Sequence, residues 1–230
     1  MGEAKLKTGS TSIHLYELAR PIWQKQFEHP FVTSLGDGSL PQENFRFYIC
    51  QDALFLNELT KIFGYATTRS QQLAHMERFG ELLLNTIRVE QELHRSYAQR
   101  FGMSPEEMLS VEMAPTNYAY TSHLHAVASV GTLPEIITAI LPCAWIYAEV
   151  GKYFSSQGTP ASDHPYRDWL LTYSSDDFEQ VGAWLRQVLD ESTIHADDME
   201  ISRLEKIFIT SSRYEWMFWD MAWRQEQWPV

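Results

Sequence analysis

The chain has 230 residues, 44% of them hydrophobic and 21% charged. That balance excludes a disordered tract, a collagen-like repeat or a low-complexity scaffold and points to one compact unit. The net charge is −12, the wrong sign for a protein that neutralises phosphates, so nucleic acid is excluded as a partner; the unusual component is the rings, 12 Phe, 11 Tyr and 8 Trp.

Apolar positions recur at helical spacing nearly throughout and no period-two runs compete with them, which predicts an all-α chain. Residues 1–10 read as an N-terminal tail and 11–230 as a single helical domain, with a first helix over about 11–27. Gly36-Asp37-Gly38-Ser39-Leu40-Pro41 reads as a turn in which Ser39 or Leu40 precedes a proline suited to a first helical turn. From Pro41, Phe45, Tyr48, Ile49, Leu56, Leu59, Ile62 and Phe63 share the face of a long helix, a face apolar except at Asp52. A helix over about 72–101 follows, and Ser104-Pro105-Glu106-Glu107 marks another start, with Ser104 as cap and Glu107 reaching back as in a capping box. Further helices are predicted over about 116–130, 134–155, 164–173, 175–191 and 196–226, punctuated by Gly102, Gly131, Gly151 and Gly158. No linker, charge block or internal repeat divides the chain.

Two cysteines, Cys50 and Cys143, are too few for a disulfide scaffold and fit a reducing compartment. The start, Met1 to Leu6, has no apolar signal core, and Leu6 stands where a myristoylation signal has Ser or Thr. The longest charge-free apolar stretch, Ile136 to Ala148, has 13 residues, short of the roughly 20 of a spanning helix. The expectation is a soluble cytoplasmic protein without a membrane partner.

Three residues stand out against their surroundings. Asp52 is a carboxylate on an apolar face, which demands either a structural partner or a ligand. Cys143 follows Pro142, which removes a helical hydrogen bond at the Thr138 carbonyl, and Tyr147 lies one turn further on the same face; the alternative is a thiol that merely packs, the reading kept for Cys50. Glu215 begins the densest aromatic run, Tyr214-Glu215-Trp216-Met217-Phe218-Trp219. Either Arg213 or Arg224 neutralises Glu215 and Asp220, or an apolar pocket raises the pKa of an acid that exchanges protons near neutrality.

The histidines offer no metal site. Glu90 and His94 are one turn apart and read as a structural pair, His123 and His125 point from different helix faces, and no histidine has a Glu three residues before it, so the Glu-x-x-His element of di-iron bundles is absent. There is no Gly-rich phosphate loop and no nucleophile elbow.

Four blocks in order carry a resemblance over nearly the whole chain. They are His29-Pro30-Phe31-Val32 through Gly36 to Pro41, Phe45-Arg46-Phe47-Tyr48 and Gln51-Asp52; Pro115-Thr116-Asn117-Tyr118-Ala119-Tyr120-Thr121; Leu141-Pro142-Cys143-Ala144-Trp145-Ile146-Tyr147 to Gly151; and Tyr214 to Ala222. Together they resemble the cysteine-containing class of the TenA family, the thiaminase II or aminopyrimidine aminohydrolase enzymes, and include Asp52, Cys143 and Glu215. The resemblance implies a heme-oxygenase-like helical bundle, a homotetramer, and hydrolysis at the methyl carbon of a pyrimidine. The substrates implied are thiamin or 4-amino-5-aminomethyl-2-methylpyrimidine, converted to the hydroxymethylpyrimidine for thiamin salvage.

By the same resemblance Cys143 is the thiolate that adds to the ring, Glu215 the acid/base, and Asp52 the carboxylate at the ring's amino edge. Tyr147 supports the cysteine, Tyr120 and Tyr173 line the pocket, and Phe55 stacks. No metal or organic cofactor is implied. The chain departs from the family at Ala53, Phe55 and Ala144, which leads to the expectation of a modestly enlarged or less polar pocket. Two other readings accompany the first: an oxidative enzyme of the same fold, which the context of His14 does not favour, and a ligand-sensing or regulatory protein without turnover.

Overall fold

A computed structural model describes residues 10–102, 104, 107 and 110–230, and the side chains of residues 89–91, 93, 94 and 98 are not described. The expected Glu90–His94 pair and the tail before residue 10 therefore lie outside the described residues. Among the described residues the chain is all helical, with no strand. Helix α1 spans Thr11–Phe27, α2 Pro30–Asp37, α3 Gln42–Arg69, α4 Leu73–Asn85, α5 Gln91–Arg100 and α6 Pro115–Val130. They are followed by α7 over Leu133–Ser155, α8 over Arg167–Tyr173, α9 over Asp176–Ser192 and α10 over Asp198–Arg224.

Side-chain caps set several of these starts. Ser10, Ser175 and Asp197 accept from the amides of Ile13, Phe178 and Glu200, satisfying donors that a first turn leaves open. The expected capping box at Ser104 is formed in both directions, Ser104 N–H to Glu107 at 2.6 Å and Glu107 N–H to Ser104 Oγ at 3.1 Å.

Two local features differ from expectation. Helix α2 was not anticipated: its cap is His29, whose Nδ1 accepts the Phe31 amide at 3.1 Å, with Pro30 in the first turn. The expected turn is confined to the residues from Gly38, which ends α2 in the left-handed region at φ +79°, and α3 starts just past Pro41. The helix expected over 72–101 is two helices joined by a π-helical turn, Thr86–Glu90.

Helix α7 is the axis of the core, packed chiefly by α9 and α10 and also by α6, α8 and α3. Ile136, Ile137, Ala139, Leu141 and Val150 along it are fully buried. At 23 residues it is longer than its 13-residue charge-free stretch, and by length and composition alone it is long and apolar enough to cross a membrane. Two thirds of its apolar window is nevertheless buried inside the fold (67%), as befits the core helix of a bundle.

Helix α10 closes the other side. Trp23 of α1 stacks on Phe208 at 5.9 Å, and Trp219 Nε1 donates to Gln26 Oε1 at 2.6 Å. Asn44 Nδ2 of α3 reaches the Ala222 and Trp223 carbonyls at 3.1 and 2.5 Å. Each large side chain fully withdrawn from water contributes roughly 1.5–3 kcal/mol before entropy is charged against it. The aromatic surplus is therefore mainly the cement between α1, α3, α7 and α10.

Candidate active site

Helices α3, α4, α7, α8 and α9, with Thr86 of the π turn, enclose a cavity of about 600 Å³, the size range of small-molecule sites. Asp52, Phe55 and Leu56 line it from α3, Cys143, Ala144 and Tyr147 from α7, Tyr173 from α8, and Phe178 and Val181 from α9. Arg78, Asn85, Asp177 and Gln180 complete its more exposed walls.

Helix periodicity explains how the residues meet. Asp52, Phe55, Leu56 and Leu59 stand at steps of three and four on α3 and share the wall. Cys143 and Tyr147 are one turn apart on α7, as expected, and both face the cavity. Gly151, one further turn along, lies so close to the backbone of Tyr173 and Ser174 that a Cβ there would collide with the Tyr173 carbonyl. That contact brings the end of α8, and with it the Tyr173 ring, to 5.0 Å from the ring of Tyr147.

The two carboxylates differ in environment. Asp52, 4% exposed, lies within 3.4 Å of the Tyr48 hydroxyl. Glu215, 2% exposed, accepts a short hydrogen bond from the Tyr120 hydroxyl. Burial pushes the Glu215 carboxyl up to about 8, the Tyr120 hydrogen bond pulls against that rise, and the Asp52 charge adds to it. The alternative of arginine neutralisation applies only to Asp220, which pairs with Arg224. Burial also holds the phenols of Tyr48, Tyr120 and Tyr147 well above the ordinary tyrosine range, so all three stay neutral donors.

Of the expected residues, Asp52, Phe55, Cys143, Tyr147 and Tyr173 line the cavity together. Tyr120 and Glu215 are not among the lining side chains: Tyr120 stands against Phe55, with ring centroids 5.1 Å apart, and Glu215 is bonded to it. Of the departures, Ala144 and Phe55 face the cavity, whereas Ala53 is buried and does not line it, so Ala53 does not widen the pocket. Cys50 is buried, and burial pushes its thiol up, in keeping with a packing role.

The histidines diverge as expected, His123 toward Ser211 at 3.2 Å and His125 toward Glu58 at 2.7 Å, while His14 pairs with Glu205 at 2.6 Å. Among the described residues no group of three or more His, Cys, Asp or Glu side chains could hold a metal ion. Sequence reasoning passed over Tyr48 and Trp169, whose hydroxyl and indole N–H meet at 3.3 Å, and the α9 wall of Phe178 and Val181. The signal for Tyr48 was its place one turn before Asp52; Trp169 had none.

Known proteins match this chain over nearly its whole length. A sequence model of the TENA/THI-4/PQQC family matches residues 16–225. An aminopyrimidine aminohydrolase of Halalkalibacterium halodurans is 44% identical over 221 residues, covering 95% of this chain and 98% of that protein. The structure of a TenA homologue from P. horikoshii OT3 superposes with a TM-score of 0.85 at 32% identity, covering 94% of this chain and 99% of the other. A heme-oxygenase-like domain of Shewanella denitrificans shares the fold at 13% identity and a TM-score of 0.72, covering 93% and 92% of the two chains. With its all-α bundle and a match over nearly its whole length, the chain belongs to the TENA/THI-4/PQQC family.

Proposed function

We propose that the protein is an aminopyrimidine hydrolase of thiamin salvage. It converts 4-amino-5-aminomethyl-2-methylpyrimidine, and thiamin, to the 5-hydroxymethylpyrimidine. The observation that carries this reading is the meeting of a thiol and a carboxylate, Cys143 and Asp52, on one largely apolar cavity, with a buried acid, Glu215, bonded to the Tyr120 that backs Phe55 and its pKa raised to about 8. It is further supported by the similarity to proteins named aminopyrimidine aminohydrolase.

In the reaction the Asp52 carboxylate accepts hydrogen bonds from the ring's amino edge, and the Phe55 and Tyr173 rings sandwich the flat heterocycle. The Cys143 thiolate forms a bond to a ring carbon while Glu215, protonated below pH 8, gives its proton to the ring nitrogen. Dearomatised, the ring expels the amine, which takes up the ring-nitrogen proton and leaves as ammonia, and an exocyclic alkene remains bonded through the ring to sulfur. Water adds its oxygen to the methylene, a proton returns to Glu215, and the carbon–sulfur bond breaks to restore the aromatic ring and the thiolate. One water is consumed and one ammonia released. Direct displacement at the methylene would be slower because no ring electrons assist departure.

Residues 11–230 act as one domain, supported by a core that draws on helices from both ends of the chain. The protein works in the cytoplasm as a homotetramer, which gives the exposed Tyr118, Val130, Met199 and Trp228 a use; light scattering reporting a monomer would remove the tetramer. The test of the function is turnover of aminomethylpyrimidine, its formylated relative and thiamin by wild type, Cys143→Ser and Glu215→Gln. We expect both variants to fall by at least about a thousandfold in kcat, as loss of a nucleophile or its proton partner does, and Cys143→Ser still to bind pyrimidine. Undiminished turnover by Cys143→Ser would overturn the mechanism.

A further inference from the structure

Tyr48 has no part in the proposed reaction, yet its hydroxyl meets three polar partners behind the cavity. Its ring is fully buried and packs on Phe31, Phe45, Phe218 and Trp219, with centroids 5.3, 5.8, 6.1 and 5.8 Å away. A phenylalanine would serve that packing as well. The hydroxyl must therefore be explained separately, because a buried polar group is costly unless it is hydrogen-bonded.

The Tyr48 oxygen lies 3.3 Å from Trp169 Nε1 of α8, 3.4 Å from the Tyr147 hydroxyl of α7 and 3.4 Å from Asp52 Oδ2 on its own helix. A phenol carries one proton and two lone pairs, an indole only donates and a carboxylate only accepts. Trp169 donates to Tyr48, and the single Tyr48 proton has two acceptors in reach, the Tyr147 hydroxyl and the Asp52 carboxylate. Hydrogen bonding with Tyr147 and Trp169 acts to lower the Tyr48 pKa against the rise that burial causes. Trp169 is itself fixed by its backbone amide, which donates to the Tyr97 hydroxyl at 3.1 Å. At 3.3 to 3.4 Å the three contacts are long, of the kind that tighten when a ligand loads a site.

We propose that Tyr48 is a positioning residue, the hub that aims the Asp52 carboxylate at the ring's amino edge and ties Tyr147 beside Cys143, with Trp169 holding the hub in place. The binding wall on α3 and the nucleophile wall on α7 are thereby set at a fixed spacing by a single oxygen atom. This inference rests on the role given to Asp52 above.

The test is Tyr48→Phe, which keeps the ring, and Trp169→Phe, which removes the indole donor at a second position should the first variant fold poorly. Each is measured for kcat and KM with aminomethylpyrimidine, for the calorimetric Kd of hydroxymethylpyrimidine, and for thermal midpoint. Tyr48→Phe is expected to raise KM and Kd about tenfold and Trp169→Phe about threefold. The decisive readout is a double-mutant cycle with Asp52→Asn, in which the Tyr48→Phe loss of affinity should vanish because the group it positions is altered.

An equal loss in both backgrounds would mean that Tyr48 is merely structural, and an unchanged Kd in both single variants would likewise overturn the proposal. If wild type binds hydroxymethylpyrimidine in a Tyr48-dependent way but turns nothing over, the hub stands and the hydrolase reading falls. If it does not bind at all, both fall.

Discussion

Replacing Glu215 with Gln should make the protein more stable while removing its activity, and the gain should depend on pH in a calculable way. Glu215 titrates near 8 in the folded chain and near 4.5 when unfolded. A raised folded pKa favours the native state fully below about 4.5, and that advantage is lost progressively as pH rises through 8. In that interval the unfolded chain releases a proton that the native protein retains, at about 1.4 kcal/mol per pH unit. The penalty is about 1 kcal/mol at pH 5 and about 4 kcal/mol at pH 8. Gln is uncharged in both states and still accepts the Tyr120 hydrogen bond, so it escapes the penalty. The stability difference between Glu215→Gln and wild type should therefore grow by about 3 to 3.5 kcal/mol between pH 5 and pH 8. In a chain of this size that is on the order of 10 °C in Tm. Thermal unfolding of both proteins at fixed concentration across this range measures it directly. A Tm difference that stays constant from pH 5 to pH 8 would refute the reasoning, because it would mean that burial does not hold the Glu215 proton.

Two further perturbations probe the surroundings of the cavity. Tyr120→Phe deletes the hydrogen bond that restrains the Glu215 pKa. The inflection near pH 8 in kcat/KM should move to higher pH by about one to two units, and a profile that stays put or moves to lower pH would count against the pairing. Gly151→Ala drives a methyl group into the Tyr173 backbone; we expect a loss of about 1–3 kcal/mol together with a raised KM, and a variant with wild-type Tm and KM would show that α7 and α8 are not in forced contact.

Asp52 was legible because a carboxylate interrupting an apolar helical stripe violates burial, and the structure puts it on the cavity wall. Glu215 was only half legible: its aromatic neighbours announced burial, but whether an arginine or a phenol met it depended on α6, which sequence spacing alone does not place beside α10. Tyr48 was hidden because a tyrosine at a core position of α3 reads as a ring, and only the folded chain brings Trp169 and Tyr147 to its oxygen. Phe178 and Val181 were hidden for a related reason, since a side chain lining an apolar cavity has the same periodicity as one filling a core. Helix α2 escaped because a histidine ring nitrogen supplied the cap in place of the usual short polar side chain, and the π turn at Thr86–Glu90 escaped because one turn of altered pitch scarcely disturbs the apolar pattern.

The placement of α7 bears on how the chain is made. Helix α7, Leu133–Ser155, is covered mainly by α9 and α10, which end at Ser192 and Arg224. Synthesis from the N-terminus at about 5–20 residues per second leaves the most apolar helix without its cover for roughly 4 to 14 seconds. Throughout that interval the ribosome carries a segment that passes for a membrane span by length and composition. Helix α10 ends the exposure and also delivers Glu215, so the step that shields the hydrophobic segment is the step that brings the buried acid to Tyr120. A chain stalled before α10 lacks that acid and leaves the apolar helix uncovered, a failure that chaperones and proteases can detect by a single exposed helix.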